Sequence, residues 1–182
     1  MIRIIAGKYK GLFLKVPTSK NTRPTMDKVR QAIFSALKDK CVDAVVLDLF
    51  AGSGAMGIEA LSRGARSCDF VERDRSTFKT LKENVLSLKE EEKKARLFLT
   101  DYRLYLKKSR EMLYDVVFLD PPYRFTIDGD IIHYLLENNR LNEGAVIVSE
   151  QDYPNKEIEG FSMKKYRYGQ KHVAIYRRET EE

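Results

Sequence analysis

The chain has little of what metal centres, membrane segments and disulfide scaffolds require. Its only cysteines and histidines are Cys41, Cys68, His133 and His172. They are scattered, with no C-x-x-C pair, so we expect no metal site. One disulfide remains open, although two reduced thiols suit the cytoplasmic location that we expect. No apolar run approaches the roughly 18 residues of a membrane helix, and the start lacks an apolar signal core, so we expect no membrane role and no secretion.

Positive charge is concentrated at the two ends of the chain. The 182 residues carry a net charge of +6 and are 43% hydrophobic, which fits one folded domain spanning 1–182. Residues 1–40 hold ten Lys or Arg against two Asp, and residues 160–178 hold six basic residues and no acid. This distribution fits either a soluble basic protein or a protein that binds a polyanion, and charge alone does not separate the two.

The middle of the chain alternates short apolar runs with amphipathic segments, a pattern typical of a parallel sheet with helices on both faces. Strands are predicted at 44–50, 67–72, 95–100, 114–120 and 144–150, and helices at 56–63, 76–88, 102–113 and 128–138. The ends differ from this pattern. A basic hairpin is predicted from 2–5 and 11–16, a helix at 25–38, and a closing antiparallel hairpin from 161–168 and 172–177.

A glycine loop, Ala51-Gly52-Ser53-Gly54, follows the first strand of this central pattern and precedes a helix. Such a loop lets the backbone approach a ligand closely, and a dinucleotide is one option. However, Asp48 stands just before the loop, where a carboxylate would repel a pyrophosphate and would suit a cation. S-adenosylmethionine carries a sulfonium and an ammonium group and no phosphate. The pattern therefore favours S-adenosylmethionine.

Two further acids end the next two predicted strands. Glu72 is placed to accept hydrogen bonds from both hydroxyls of an adenosine ribose, the alternative being a surface glutamate. Asp101 is placed to meet the adenine amino group, and it is also a good helix N-cap; the two roles are compatible. Both predictions assume that the carboxyl ends of neighbouring parallel strands meet at one edge of the sheet.

The run Asp120-Pro121-Pro122-Tyr123 is the most specific feature of the sequence. The prolines fix the backbone and remove two N–H donors, which leaves the Asp120 carboxylate and the Pro121 carbonyl as acceptors. Clustered acceptors suit an exocyclic amino group, which has two protons to donate. Tyr123 offers a face on which a base can stack. The pattern indicates methyl transfer to an amino nitrogen.

These motifs resemble those of class I S-adenosylmethionine-dependent amino methyltransferases. More narrowly, the chain is similar to the bacterial small-subunit (16S) ribosomal RNA guanine-N2 methyltransferase family. The narrower resemblance depends on four stretches, RIIAGKYKG at 3–11, TRPT at 22–25, DLFAGSGAMGIEALSRGA at 48–65 and the ending at 168–177. They cover nearly the whole chain in the family's order. The resemblance implies a Rossmann-like α/β fold, with a seven-stranded, mostly parallel sheet and a C-terminal antiparallel hairpin.

The resemblance also implies roles for individual residues. Residues 1–40 would form an RNA-engaging extension and residues 41–182 the catalytic core. The catalytic residues would be Asp120, Pro121, Pro122 and Tyr123. The cofactor would contact Asp48, Phe50, Ala51, Gly52, Ser53, Gly54, Glu72, Arg73, Asp101 and Tyr102. The RNA, within a small-subunit assembly particle, would contact Lys8, Lys10, Lys15, Arg23, Thr25 and Arg30, the last three lying over the pocket.

Other functions remain open at this stage. A methyltransferase acting on adenine N6, cytosine N4 or a protein amide could share the same pocket. A dinucleotide-dependent oxidoreductase is opposed by Asp48 and by the Asp-Pro-Pro-Tyr run, and a pure RNA-binding protein is opposed by the complete set of polar groups. We also expect the N-terminal hairpin to lie outside the cofactor pocket.

Overall fold

The computed structural model describes residues 1–17, 24–108, 111–122 and 128–179. Within these ranges the strands are β1 Ile2–Arg3, β2 Phe13–Leu14, β3 Val45–Asp48, β4 Ser67–Glu72, β5 Ala95–Leu99, β6 Tyr114–Leu119, β7 Leu141–Gln151, β8 Phe161–Tyr168 and β9 Lys171–Arg178. The helices are α1 Pro24–Leu37, α2 Ala55–Ser62, α3 Arg75–Leu86, α4 Tyr102–Lys108 and α5 Asp128–Glu137. None of the helices described is long and apolar enough to cross a bilayer.

The main sheet has seven strands in the order β5-β4-β3-β6-β7-β9-β8. Strands β3 to β7 run parallel to one another, and β9 enters antiparallel to both β7 and β8. The predicted mostly parallel sheet with a C-terminal antiparallel hairpin is therefore confirmed. The central parallel strands β3, β4 and β6 are short and mostly apolar because both of their faces are covered.

Alternate residues of the strands enter two hydrophobic clusters, one on each face of the sheet. One cluster joins Val46, Phe70 and Phe118 to apolar residues of α1, α2, α3 and the N-terminal hairpin. The other joins Leu47 and Val117 to residues of α4 and α5. Burial of apolar area on both faces is the main stabilising contribution to this arrangement. Residues 1–40 thus share a core with the rest of the chain.

The N-terminal hairpin pairs over only two residues a side, fewer than the sequence pattern predicts. The amide of Ile4 still donates across the hairpin to the Leu12 carbonyl at 2.9 Å. The amides of Ile5 and Ala6 donate instead to the buried carboxylate of Glu59, at 2.8 and 3.0 Å. At the turn, Gly7 has a φ of 84°, and a Cβ there would lie 1.8 Å from the Ser62 carbonyl oxygen. The hairpin is therefore fastened to α2 by contacts that only glycine permits.

Two other predicted segments also differ from the structure. The helix predicted at 102–113 ends as α4 at Lys108, and the chain is no longer helical at 111–113, before β6 begins. The last predicted parallel strand, at 144–150, is longer, because Leu141 already pairs with Tyr114 ahead of a register shift. Cys41 and Cys68 are both buried free thiols, and burial raises the pKa of Cys41 to about 12.

Candidate active site

A cavity of about 400 Å³ opens at the carboxyl ends of β3, β4, β5 and β6. This edge is where open parallel sheets bind ligands, because loops from neighbouring strands converge there. The residues that line it are Pro17, Leu49, Phe50, Val71, Glu72, Arg73, Asp74, Ser76, Thr77, Thr100, Asp101, Tyr102, Asp120 and Pro122. The cavity thus brings together Leu49 and Phe50, which follow β3, with the acids Glu72 and Asp101. It also includes Asp120 and Pro122 of the Asp-Pro-Pro-Tyr run.

The glycine loop turns sharply between β3 and α2. Gly52 and Gly54 have φ values of 56° and 84°, in the left-handed region that residues with a side chain rarely adopt. A Cβ on Gly57 would lie 2.3 Å from the Phe70 ring, so α2 packs against β4 at backbone distance. The glycines therefore fix both the turn and the close approach of the helix. In the part of the chain described, Ala51, Gly52, Ser53 and Gly54 lie behind the cavity lining.

Glu72 is held in place by the glycine loop. One carboxylate oxygen accepts the amide of Gly52 at 3.0 Å and the other accepts the amide of Asp74 at 2.8 Å. A carboxylate has about four acceptor positions, so capacity remains for two hydroxyls. These backbone bonds orient a group that faces the cavity. The predicted contact between Glu72 and a ribose stays a prediction, now with a defined orientation.

Asp48 lies beneath the loop rather than in the cavity lining. It is 3% exposed, and its Oδ2 accepts the amide of Gly57 at 3.1 Å, in the first turn of α2. The helix N-terminus, where a pyrophosphate would bind, already faces a buried carboxylate. The buried Asp48 carboxylate therefore disfavours a dinucleotide at this loop. Direct contact of Asp48 with a cofactor stays a prediction.

One wall of the cavity is aromatic. The rings of Phe50 and Tyr102 lie 5.1 Å apart with an interplanar angle of 54°. Beside them, Asp101 accepts the amide of Arg103 at 2.9 Å, so it does cap α4. Because this bond uses one oxygen, the carboxylate can still accept from a ligand amino group. Arg73 adds an exposed cation at the rim.

Asp120 and Pro122 line the same cavity, directly after β6. Asp120 and Pro121 are partly buried and Pro122 is exposed. The run follows β6, which pairs with β3 on the side opposite to β4 and Glu72. Tyr123 lies outside the described residues. The structure thus brings the predicted amino-group acceptor and the predicted cofactor residues into one cavity.

The segment that follows the N-terminal hairpin reaches this cavity, whereas no residue of the hairpin at 2–16 is among the residues described in its lining. Pro17 belongs to the lining. Two residues before Pro17, the backbone of Lys15 pairs with the side-chain amide of Asn84. The N–H of Lys15 donates to Oδ1 at 2.8 Å, and its carbonyl accepts from Nδ2 at 2.9 Å. The same Nδ2 donates to the carbonyl of Ser53 at 2.8 Å. One side chain therefore joins the N-terminal segment to the glycine loop.

The predicted RNA-contacting residues separate into three groups. Lys8, Lys10 and Lys15 are exposed, and Lys15 forms an ion pair of 2.8 Å with Glu83. Arg30 is only 5% exposed, and its guanidinium donates to the Arg3 carbonyl and to Asp27, so the prediction that it contacts RNA over the pocket is wrong. Arg23 and the Thr25 side chain lie outside the described part of the structure.

Sequence reasoning missed Asn84 and Glu59. Asn84 stands beside Val85 in the apolar stripe of α3, and a polar residue in such a stripe signals a buried hydrogen-bond network. Glu59 forms an i, i+4 ion pair of 2.9 Å with Arg63, a spacing usually found on solvated helix faces. That spacing gave no sign that Glu59 is buried.

The residues described contain no group of three or more His, Cys, Asp or Glu placed to hold a metal ion.

Comparison with known proteins places this geometry in a family. Residues 2–177 match the family described as Conserved hypothetical protein 95. Ribosomal RNA small subunit methyltransferase D of Escherichia coli is 39% identical over 154 residues, which cover 85% of this chain and 76% of that protein. The chain belongs to this methyltransferase family. The Bacillus subtilis protein YlbH, named as an rRNA methyltransferase, is 38% identical over 97% of this chain and 99% of its own length.

Solved structures confirm the predicted class I methyltransferase fold. The E. coli protein yhhF superposes with a TM-score of 0.86 and 34% identity, over 98% of both chains. A more distant neighbour is the Thermus thermophilus 16S rRNA N2 G1207 methyltransferase, solved with AdoMet and guanosine. It superposes with a TM-score of 0.64 and 19% identity, over 89% of this chain and 45% of that one. The chain therefore shares its fold with these methyltransferases.

Proposed function

We propose that this methyltransferase transfers a methyl group from S-adenosylmethionine to the exocyclic N2 amino group of a guanine in 16S ribosomal RNA. The observation that carries the proposal is a single cavity lined by Glu72, Asp101, Tyr102 and Asp120. Three of these residues suit an adenosine and the fourth suits an amino group. Relatives named ribosomal RNA small subunit methyltransferase D support ribosomal RNA as the substrate.

The donor half of the cavity fits S-adenosylmethionine. Glu72 would accept from the ribose hydroxyls, Asp101 from the adenine amino group, and the rings of Phe50 and Tyr102 would cover the base. Arg73 would lie at the rim. When bound, the cofactor supplies an electrophilic sulfonium methyl group. Methyl transfer from a sulfonium to nitrogen is an in-line displacement, so positioning is the main task of the protein.

The acceptor half of the cavity fits an amino nitrogen. Asp120 and the Pro121 carbonyl would accept the two N–H protons, and this would turn the nitrogen lone pair away from them and toward the donor. The same acceptors would stabilise the positive charge that develops on nitrogen. The guanine must leave its stack to reach this depth, and Tyr123 would hold it there.

Guanine N2 is favoured over other amino groups by resemblance and not by the pocket alone. The motif Asp-Pro-Pro-Tyr fits adenine N6, cytosine N4 and protein amides as well. The resemblance of the whole chain, motif by motif, to the guanine-N2 methyltransferase family supports guanine. A small-subunit assembly particle is proposed as the physiological substrate, with the exposed Lys8 and Lys10 on its RNA.

The test separates chemistry from cofactor binding. Asp120→Ala should abolish most single-turnover methyl transfer to ribosomal RNA, because the amino group loses its acceptor. Affinity for S-adenosylmethionine, measured by calorimetry, should stay within a few-fold, because the cofactor residues are unchanged. Glu137→Ala, an exposed acid at the end of α5, serves as the control. Near-normal transfer by the Asp120 variant would contradict the proposed role.

A further inference from the structure

A row of charged residues continues from Asp120 across the carboxyl edge of the sheet. Leu119 at the end of β6 pairs with Ser149 of β7, so Asp120 and Glu150 are the next residues on two neighbouring strands. Glu150 in turn pairs with Val173 of β9, and Lys171 begins that strand. The row therefore runs from the candidate acceptor through a second carboxylate to an ammonium group.

All three residues of this row belong to the same face of the sheet. Residues two apart in a strand share a face. Phe118, Val148 and Val173 all enter the hydrophobic cluster on the α1 side. Asp120, Glu150 and Lys171 are each two positions from one of these three. Strand pairing and alternation thus place two carboxylates and a lysine side by side, and one of them, Asp120, lines the cavity.

The charges in this row perturb one another. Burial, with the nearby charges of Asp120 and Asp152, raises the pKa of Glu150 to about 8, although Lys171 acts in the opposite direction. Burial acts to lower the pKa of Lys171, but its bond to Asp152, 3.0 Å between Nζ and Oδ1, and the charges of Asp120 and Glu150 raise it overall. The groups that face Glu150 are therefore Asp120, Asp152 and Lys171.

Two adjacent carboxyl groups in a partly buried place do not ionise together easily. Glu150, whose pKa is raised by burial and by Asp120, is the group that keeps its proton at neutral pH, and the charge of Lys171 favours ionisation of its neighbour. Asp120, which faces the cavity, is then the carboxylate. This is the form that accepts hydrogen bonds from an amino group, whereas a protonated acid offers an unwanted donor.

We propose that Glu150 and Lys171 are positioning residues that keep Asp120 ionised and directed into the cavity. The inference depends on the proposed function of Asp120 as the acceptor of the target amino group. Neither residue is assigned a contact with the substrate, and both act through Asp120. Above the pH at which Glu150 ionises, its new charge repels Asp120 and competes for Lys171.

The experiment is the pH profile of single-turnover methyl transfer to ribosomal RNA between pH 5 and 9. Wild-type rates should fall above about pH 8, where Glu150 ionises. Glu150→Gln keeps the shape of the protonated acid, so it should lose the fall. Lys171→Met should move the fall to higher pH, because the charge that favours ionisation of Glu150 is gone.

Glu143→Gln is the matched control, since it makes the same change on β7 at the opposite, exposed end of the strand. It should reproduce the wild-type profile. Any effect of pH on the RNA itself will appear in this control as well. A fall above pH 8 that persists in Glu150→Gln, or an unmoved fall in Lys171→Met, would overturn the inference. Normal transfer by Asp120→Asn in the same series would instead overturn the proposed function itself.

Discussion

Replacing Asn84 should weaken both folding and cofactor binding, because this one amide joins two segments of the cavity wall. The side chain is 3% exposed, and its three hydrogen bonds, at 2.8 to 2.9 Å, use Oδ1 once and Nδ2 twice. In Asn84→Ala the carbonyl of Ser53 loses its side-chain donor in a buried place. The backbone of Lys15 loses its partners in a place that is partly open to water.

The magnitude follows from these three bonds. An unsatisfied buried group costs about 1–3 kcal/mol, and a partly exposed bond contributes about 0.5–1.5 kcal/mol. We therefore expect the free energy of unfolding to fall by about 2–6 kcal/mol. In a chain of this size that is a decrease of roughly 4–24 °C in melting temperature. Affinity for S-adenosylmethionine should also decrease, because the glycine loop and Pro17 lose their common anchor.

The assay is thermal unfolding with and without S-adenosylmethionine, together with calorimetric titration. Glu83→Gln is the matched control, since it removes the exposed ion pair with Lys15 next to Asn84 and leaves the amide intact. The control should differ little from the wild type, because exposed ion pairs contribute little. Equal melting temperatures for the wild type and Asn84→Ala would refute the reasoning.

Two more predictions concern the two ligands. Glu72→Ala should weaken S-adenosylmethionine binding by about 1.5–3 kcal/mol, the contribution of hydrogen bonds to a charged acceptor; unchanged affinity in calorimetry would contradict the ribose assignment. Neutralising Lys8 and Lys10 with glutamine should lower RNA affinity and flatten its dependence on salt by about one unit of log–log slope. Parallel lines in a binding series across salt concentrations would mean that these lysines face solvent only.

The sheet could be predicted from the sequence because the pattern of apolar residues in a strand reflects which of its faces are buried. Strand β4 was predicted with its observed bounds, since a short apolar run covered on both faces has the same pattern in the sequence and in the structure. The termini were harder to predict. The amides of Ile5 and Ala6 bind Glu59, 53 and 54 residues away, and no local pattern encodes such a partner.

The candidate site could be predicted where its residues follow strand ends, as Glu72, Asp101 and Asp120 do. Parallel strands place their carboxyl ends at one edge, so sequence position alone brings these acids together. The prediction for Arg30 failed because burial of a charged side chain depends on what covers it. The N-terminal hairpin supplies that cover through the Arg3 carbonyl. Side-by-side placement of Asp120 and Glu150 likewise needs the strand order, which the sequence does not state.

The measurement that tests the central claim most directly is mass spectrometry of ribosomal RNA nucleosides. Small subunits from a strain that lacks this protein would be incubated with S-adenosylmethionine and either the wild type or Asp120→Ala. The account predicts that N2-methylguanosine forms with the wild type and is largely missing with the variant. A methylated adenine or cytosine would contradict guanine N2 as the target. N2-methylguanosine formed equally by both proteins would contradict Asp120 as its acceptor.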